Sequence, residues 1–380
     1  MKRILKAILV ISLSLLIGFA VGYGFGKLFG GDGMEQAQPD VGKAWKDIAL
    51  IITSSLLGVF LGAYLQLIIH EAGHLVCGLI SGYRFVSFRI LSYTLLRDHG
   101  KFKVKRFSLD GTAGQCLLSP PDKPAEQVPT TLYLLGGLLF NLLLSAVCIA
   151  IARCVAGNTY LSMAFYITAA IGVLILLTNG IPMTANGFPN DGHSVLHMNG
   201  NLKAKSALLN MLRSNALVQD GIRPADLPQE YFAQVNDSDL SNTLETNLAV
   251  MYINVLVQKG ELSEAERLSR KIIAQSKVVL FRTEAKAELA CLLLEQAQPG
   301  DGKAEEAASL FGDNELKAIE KSAKTQSSKQ RYLFMRALRA DNNRQKAVEI
   351  LEHLQSRKHQ YLMQGEVEMD LELMWKALKE

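Results

Sequence analysis

Charge is missing from the stretch of this chain that says most about it: between Asp47 and Arg84 the only formally charged residue is Glu71. A run that long with so little charge is expected to enter a bilayer rather than coat a soluble core. Cysteine is sparse as well. Cys77, Cys116, Cys148, Cys154 and Cys291 show neither a CxxC pair nor any framework spacing, so a disulfide scaffold is excluded. Three of the five lie in or beside apolar segments and read as small hydrophobes. Excess charge of one sign is also slight, 40 Lys and Arg against 36 Asp and Glu. The basic residues gather in loops next to apolar segments, a distribution that does not point to nucleic acid.

What is present divides near residue 200. Residues 1–200 hold four long apolar segments, whereas 201–380 is rich in Glu, Lys, Arg, Gln and Ala. The expected organisation is a membrane-embedded domain, 1–200, followed by a soluble all-α domain, 201–380. The first segment, Ile4 to Gly26, follows Lys2, Arg3 and Lys6 and has no clean cleavage site after it, so a retained helix is expected rather than a signal peptide. Gly18, Gly22, Gly26 and Gly30 repeat at spacing four, which either lets another helix approach or reflects plain glycine tolerance. The second segment, Ile48 to Ile80, would extend about 50 Å as a helix, well beyond a hydrocarbon core of about 30 Å. It must therefore tilt and protrude, or break near Gly73 or Gly78. The third and fourth segments are Leu132 to Cys154 and Leu161 to Leu177.

Lysines and arginines orient the set. Lys2, Arg3 and Lys6 mark one side, and Arg84, Arg89, Arg97, Lys101, Lys103, Lys105 and Arg106 follow the second segment; the loop around Ala156 to Tyr160 has no charge at all. The positive-inside rule then predicts a multi-pass protein of a cell membrane, expected to be bacterial, with both termini cytoplasmic. A short β element beside the membrane is expected at Tyr83 to Ile90, where apolar and polar residues alternate. Strand-like edges near residues 83–93 could hold an extended peptide by β-addition.

Within the charge-poor run stands His70-Glu71-Ala72-Gly73-His74. On a helix, two histidines four apart point the same way and can share one metal ion, with Glu71 placed to handle the proton of a water activated there. Ionisable groups at bilayer depth are costly and usually functional. A catalytic zinc needs a third protein ligand and an open position. The best candidate is Asp191, after Asn179-Gly180-Ile181-Pro182; His193 and His197 are alternatives if they share a helical face. Cys77, one turn past His74, could approach the metal, although packing is its ordinary role.

Taken in order, His70-Glu71-x-x-His74, Gly137-x-x-x-Asn141, and Asn179-x-x-Pro182 leading to Asp191-Gly192 resemble the site-2 protease family of zinc intramembrane metalloproteases over about residues 48–200. The resemblance implies His70, His74 and Asp191 as ligands of one zinc per chain and Glu71 as catalytic acid/base. It further implies that Asn141 positions substrate and Asn179 supports the site. The chain departs from the family pattern in Leu138, where proline often follows the glycine, in Asn190, where leucine commonly precedes Asp-Gly, and in a longer gap from Asn179 to Asp191. Nothing resembles the PDZ module that some members carry.

In the second half, Ala265, Ala307 and Ala347 recur 42 and 40 residues apart, each in a helix after a turn and an apolar helix, at Leu248–Val257, Ala285–Leu294 and Tyr332–Leu338. This resembles a degenerate tetratricopeptide-like array, with an ordinary bundle as the alternative. Lys317–Lys324 reads as a solvated face. The expected function is a zinc endopeptidase cutting transmembrane or signal-peptide-like segments near the cytoplasmic face, with a cytoplasmic protein partner possible through 201–380. The alternative is an idle scaffold or immunity protein keeping the same fold, against which the intact Glu71 argues. A metal transporter is disfavoured by the lack of a through-path.

Overall fold

A computed structural model describes residues 41–98, 101–107, 113–185, 188–198, 200–298 and 300–379. The expected first segment and its glycine stripe lie outside the described residues. Among those described, three helices are long and apolar enough to cross a membrane. These are α1 (Val41–Ile80), α2 (Thr131–Cys154) and α3 (Thr159–Gly180). The chain is mostly helical, with one small antiparallel sheet. It separates into two compact units, one comprising the chain to His74 with Leu135–Ile181, the other Leu75–Leu134 with Pro182–Glu380. The sheet and residues after Pro182 therefore belong with the helical half, not with the apolar helices.

In the first unit, α1 is a single unbroken helix of 40 residues, with no break at Gly73 or Gly78. Small residues bring the helices close. A Cβ at Gly73 would lie 2.2 Å from the carbonyl oxygen of Gly136, and one at Gly62 only 2.6 Å from Thr168 Oγ1. The Gly73–Gly136 contact and the Gln66–Ser145 bond run α2 antiparallel to α1. Asn158 caps α3, accepting from Leu161 N at 3.1 Å. Tyr160 donates to Asp47 at 2.7 Å, tying the start of α3 to that of α1.

The second unit begins with the last turns of α1. Four strands follow: β1 (Arg84–Ile90), β2 (Tyr93–Asp98), β3 (Lys101–Arg106) and β4 (Gly114–Ser119), in the order β3-β2-β1-β4. The expected strand at 83–90 is thus present, with a bulge between Phe85 and Ser87 where it pairs with β4. Its expected edge is not. β1 is paired on both sides and β2 lies between β1 and β3, so neither has backbone groups left for an added peptide, and the edges are β3 and β4. Gly78 receives the sheet, since a Cβ there would meet Leu118 Cδ1 at 2.2 Å. Arg89 is buried and donates to the carbonyls of Leu91 (2.9 Å) and Gly114 (3.3 Å), fixing the turn where Leu91 takes a φ of 52°.

A two-residue hairpin, β5 (Thr184–Ala185) and β6 (Phe188–Pro189), leads into α4 (Asp191–Met198) and α5 (Leu202–Gln219). Beyond them stand three helical hairpins: α6 (Thr243–Lys259) with α7 (Leu262–Gln275), α8 (Val279–Gln296) with α9 (Lys303–Ser309), and α11 (Ser327–Met335) with α12 (Arg344–Arg357). Ala265, Ala307 and Ala347 are all buried, because each lets the second helix of its pair sit close on the first. An extra helix, α10 (Asp313–Ser322), is inserted before the third pair, and α13 (Gln364–Lys379) closes the series. Lys317 and Lys324 are exposed, with Ile319 and Ala323 turned inward.

Candidate metal centre

Several buried polar groups of the first unit lie at the level of His70. His70, Glu71 and His74 are each 8 % exposed on α1, and Asn141 of α2 is fully buried. His70 and His74 stand one turn apart with ring planes at 82° and centroids 4.8 Å apart. Their Nε2 atoms are 3.2 Å from each other. A tetrahedral ion with bonds of about 2.0–2.1 Å holds two nitrogen ligands about 3.3 Å apart, so the pair is spaced for one ion.

Asn141 decides how His70 presents itself. Its side-chain amide donates to the backbone carbonyl of Gln66 (2.9 Å) and to Gln66 Oε1 (2.7 Å), which leaves its oxygen to accept. His70 Nδ1 lies 2.6 Å from that oxygen. With Nδ1–H donating there, Nε2 carries the lone pair and faces His74, the usual arrangement of an oriented metal-ligand histidine. Asn141, expected to position substrate, is thus bonded to a candidate ligand. Gln66 in turn donates to Ser145 Oγ (3.3 Å) and to the carbonyl of Thr168 (3.2 Å), and Ser145 donates to the carbonyl of Asn141 (2.8 Å). Gln66 and Ser145 were not singled out from the sequence. Their signal was available: Gln66 is one turn before His70 and Ser145 one turn after Asn141, both polar inside apolar helices.

Gly137 closes the other side. A Cβ at Gly137 would sit 2.5 Å from His70 Cε1 and 2.6 Å from His74 Nε2, so the backbone of α2 passes directly against both rings. Of the sequence candidates for a third ligand, Asp191 joins the histidines: one ligand atom from each of His70, His74 and Asp191 lies within 4.8 Å of the others. Asp191 is the first residue of α4, and Asn190 caps that helix by accepting from His193 N (2.9 Å) and Met183 N (3.2 Å). The asparagine in place of leucine thus fixes the turn that presents Asp191.

No protein-family profile matches the chain, and neither a curated protein nor a solved structure matches it. The chemistry of the centre therefore rests on its own geometry. Cys77 is buried and is not among the grouped ligand atoms. His193 likewise lies outside that group, and the side chain of His197 is outside the described residues. Asn179 donates to the carbonyl of Ile175 at 3.1 Å, within its own helix. Two imidazole nitrogens and one carboxylate oxygen make a donor set that suits zinc and leaves a fourth position for a reactant.

Proposed function

We propose that the chain is an intramembrane zinc endopeptidase, cutting transmembrane or signal-peptide-like segments near the cytoplasmic face of a bacterial cell membrane. The observation that carries this reading is the 3.2 Å separation of the two Nε2 atoms beside the Asp191 carboxylate, with a buried glutamate next in sequence to the first histidine. A binding scaffold has no use for a general base at that position. The lysines and arginines after α1 favour a multi-pass arrangement with cytoplasmic termini. Resemblance to site-2 proteases supports the same assignment.

When bound by His70, His74 and Asp191, zinc supplies Lewis acidity, lowering the pKa of water and polarising the peptide carbonyl. Glu71 takes the proton of the attacking water on its carboxylate and delivers it to the departing amide nitrogen. Asn141 holds His70 in the tautomer that keeps Nε2 available. The buried setting of these groups excludes bulk water and strengthens each electrostatic contact. The substrate must arrive extended, because a helical backbone keeps its carbonyls hydrogen-bonded.

Glu71→Gln tests the proposal. The purified variant should hold one zinc per chain, as wild type does, while single-pass membrane proteins accumulate uncut in cells that carry it. Equal processing by Glu71→Gln and wild type would defeat the reading and favour a scaffold.

A further inference from the structure

The second unit contains a groove of about 970 Å³, lined by the sheet, the end of α5 and the segment between α12 and α13. Its walls are cationic. Arg84 of β1, Arg97 of β2 and Lys103 and Lys105 of β3 all line it, facing the two carboxylates of Asp220 and Glu368. Glu368 is already engaged by Lys358 at 2.9 Å, outside the groove. Arg84 and Arg97 make no side-chain hydrogen bond or ion pair among the described residues.

The sheet register explains why the two lysines converge on this groove. Ser87, Leu96 and Lys103 are successive cross-strand partners, so they lie in one row on one face. At the Ser87 end the row is closed by Gln219 of α5, which accepts from the serine hydroxyl at 3.1 Å. In the middle, Leu96 packs with Leu362, giving the groove an apolar floor. At the other end Lys103 and, two residues on, Lys105 project from the same face of β3. Four cations against two carboxylates, one of them already paired with Lys358, leave a net positive charge over an apolar floor, which a bound anion offsets.

We propose that this groove binds an organic phosphate. Guanidinium forks match phosphate oxygens in pairs, and two lysines add point charge, whereas a carboxylate ligand would need fewer cations. The volume lies at the top of the range for small-molecule sites and exceeds what inorganic phosphate fills. The non-phosphate part of the ligand rests on Leu96 and Leu362. Two sources carry this chemistry: the headgroup of an anionic phospholipid, since Arg84 follows the end of α1 by four residues, and a soluble nucleotide. The inference is independent of the protease assignment.

The test uses the full chain in two settings. In nanodiscs of phosphatidylcholine, radiolabelled ATP binding is measured by equilibrium dialysis. In nanodiscs of mixed phosphatidylcholine and phosphatidylglycerol, native mass spectrometry counts the phosphatidylglycerol that stays with the protein. One arm should show binding that falls about tenfold or more in the Arg84→Gln/Arg97→Gln double variant, and the arm that responds identifies the source. The Lys103→Gln/Lys105→Gln variant serves as a second probe if the first is poorly folded, and Glu71→Gln should bind as wild type does. Absence of binding in both arms, or equal binding by wild type and both double variants, overturns the proposal.

Discussion

Replacing Gly137 with alanine tests the imidazole pair without touching a ligand. The new methyl group would start 2.5 Å from His70 Cε1, 2.6 Å from His74 Nε2 and 2.7 Å from His70 Nδ1, whereas ordinary contact begins at 3.4 Å. The rings or the helix must therefore move by about 0.7–0.9 Å. The backbone of α2 has little room to retreat, because it already meets α1 at Gly73 and Gly136. His70 is in turn tied to Asn141 at 2.6 Å. Metal ligands tolerate displacements of only about 0.2 Å, and disturbing the partners of such ligands alone costs about 10–100-fold in affinity. Displacing the ligands themselves should cost about 100-fold or more, about 2.7 kcal/mol. Zinc affinity is measured by chelator competition in detergent, with thermal melting to show that the fold persists; alanine is favoured over glycine in a helix, which aids the comparison. Wild-type zinc affinity in a folded Gly137→Ala protein would refute the placement of the two rings.

Other predictions concern the helix contacts and the buried charges. Gly73→Val drives a side chain into the Gly136 carbonyl, 2.2 Å from where its Cβ must sit, and should lower stability by about 1–3 kcal/mol, seen as a lower melting temperature; unchanged melting would contradict the close approach. Arg331 is buried between Glu288 and Asp370, 2.7 Å from the latter, so Arg331→Met strands two carboxylates and should cost about 3–5 kcal/mol by urea unfolding, whereas replacing all three with apolar residues should recover most of the loss. Burial, then the negative charge of Asp370, Glu284 and Glu288, pushes the Glu366 carboxyl up to about 8; burial also pushes Asp370 up to about 6, against the pull of Arg331. Both native-state values exceed the unfolded ones, so unfolding releases protons. Stability of this region should be greatest below about pH 4 and fall as pH rises to about 8, by at most about 1.4 kcal/mol per pH unit for each proton. Urea melts of Glu366→Gln should be flatter between pH 6 and 8, and a stability that rises over that range in wild type would contradict the assignment.

The expectations legible in the sequence were those with a strong physical period or a strong cost. A charge-poor run too long for a soluble helix fixes α1 to within a few residues at its C-terminal end, and the histidine spacing puts both rings on one face. Alternation of apolar residues finds β1 but not its neighbours in the sheet. Leu96 and Lys103 become cross-strand partners only through pairing, which local pattern does not encode, and the same limit hid that β1 is internal. Asp191 is nominated by a turn and by family resemblance, yet the device that presents it, the Asn190 cap, looks in sequence like a mere departure. Gln66 and Ser145 are faint in the sequence because a single glutamine or serine barely alters the apolar average of a long helix. The repeated alanines are visible through their spacing, and α10 lengthens the second of the two intervals, from Ala307 to Ala347.

The bonds through Gln66 also set the alignment of the apolar helices. Lipid gives helices little hydrophobic reason to associate, so a wrong alignment of α1, α2 and α3 is penalised mainly through unmet hydrogen bonds. Gln66 reaches α2 at Asn141 and Ser145 and α3 at the Thr168 carbonyl. Sliding either partner by one turn, about 5.4 Å, would break its bonds to Gln66. The glutamine therefore acts as a gauge during assembly: the helices find low energy only in the one alignment that also seats His70 against Asn141. A misaligned set of helices would leave the Gln66 amide unmet among apolar side chains, at a cost in free energy.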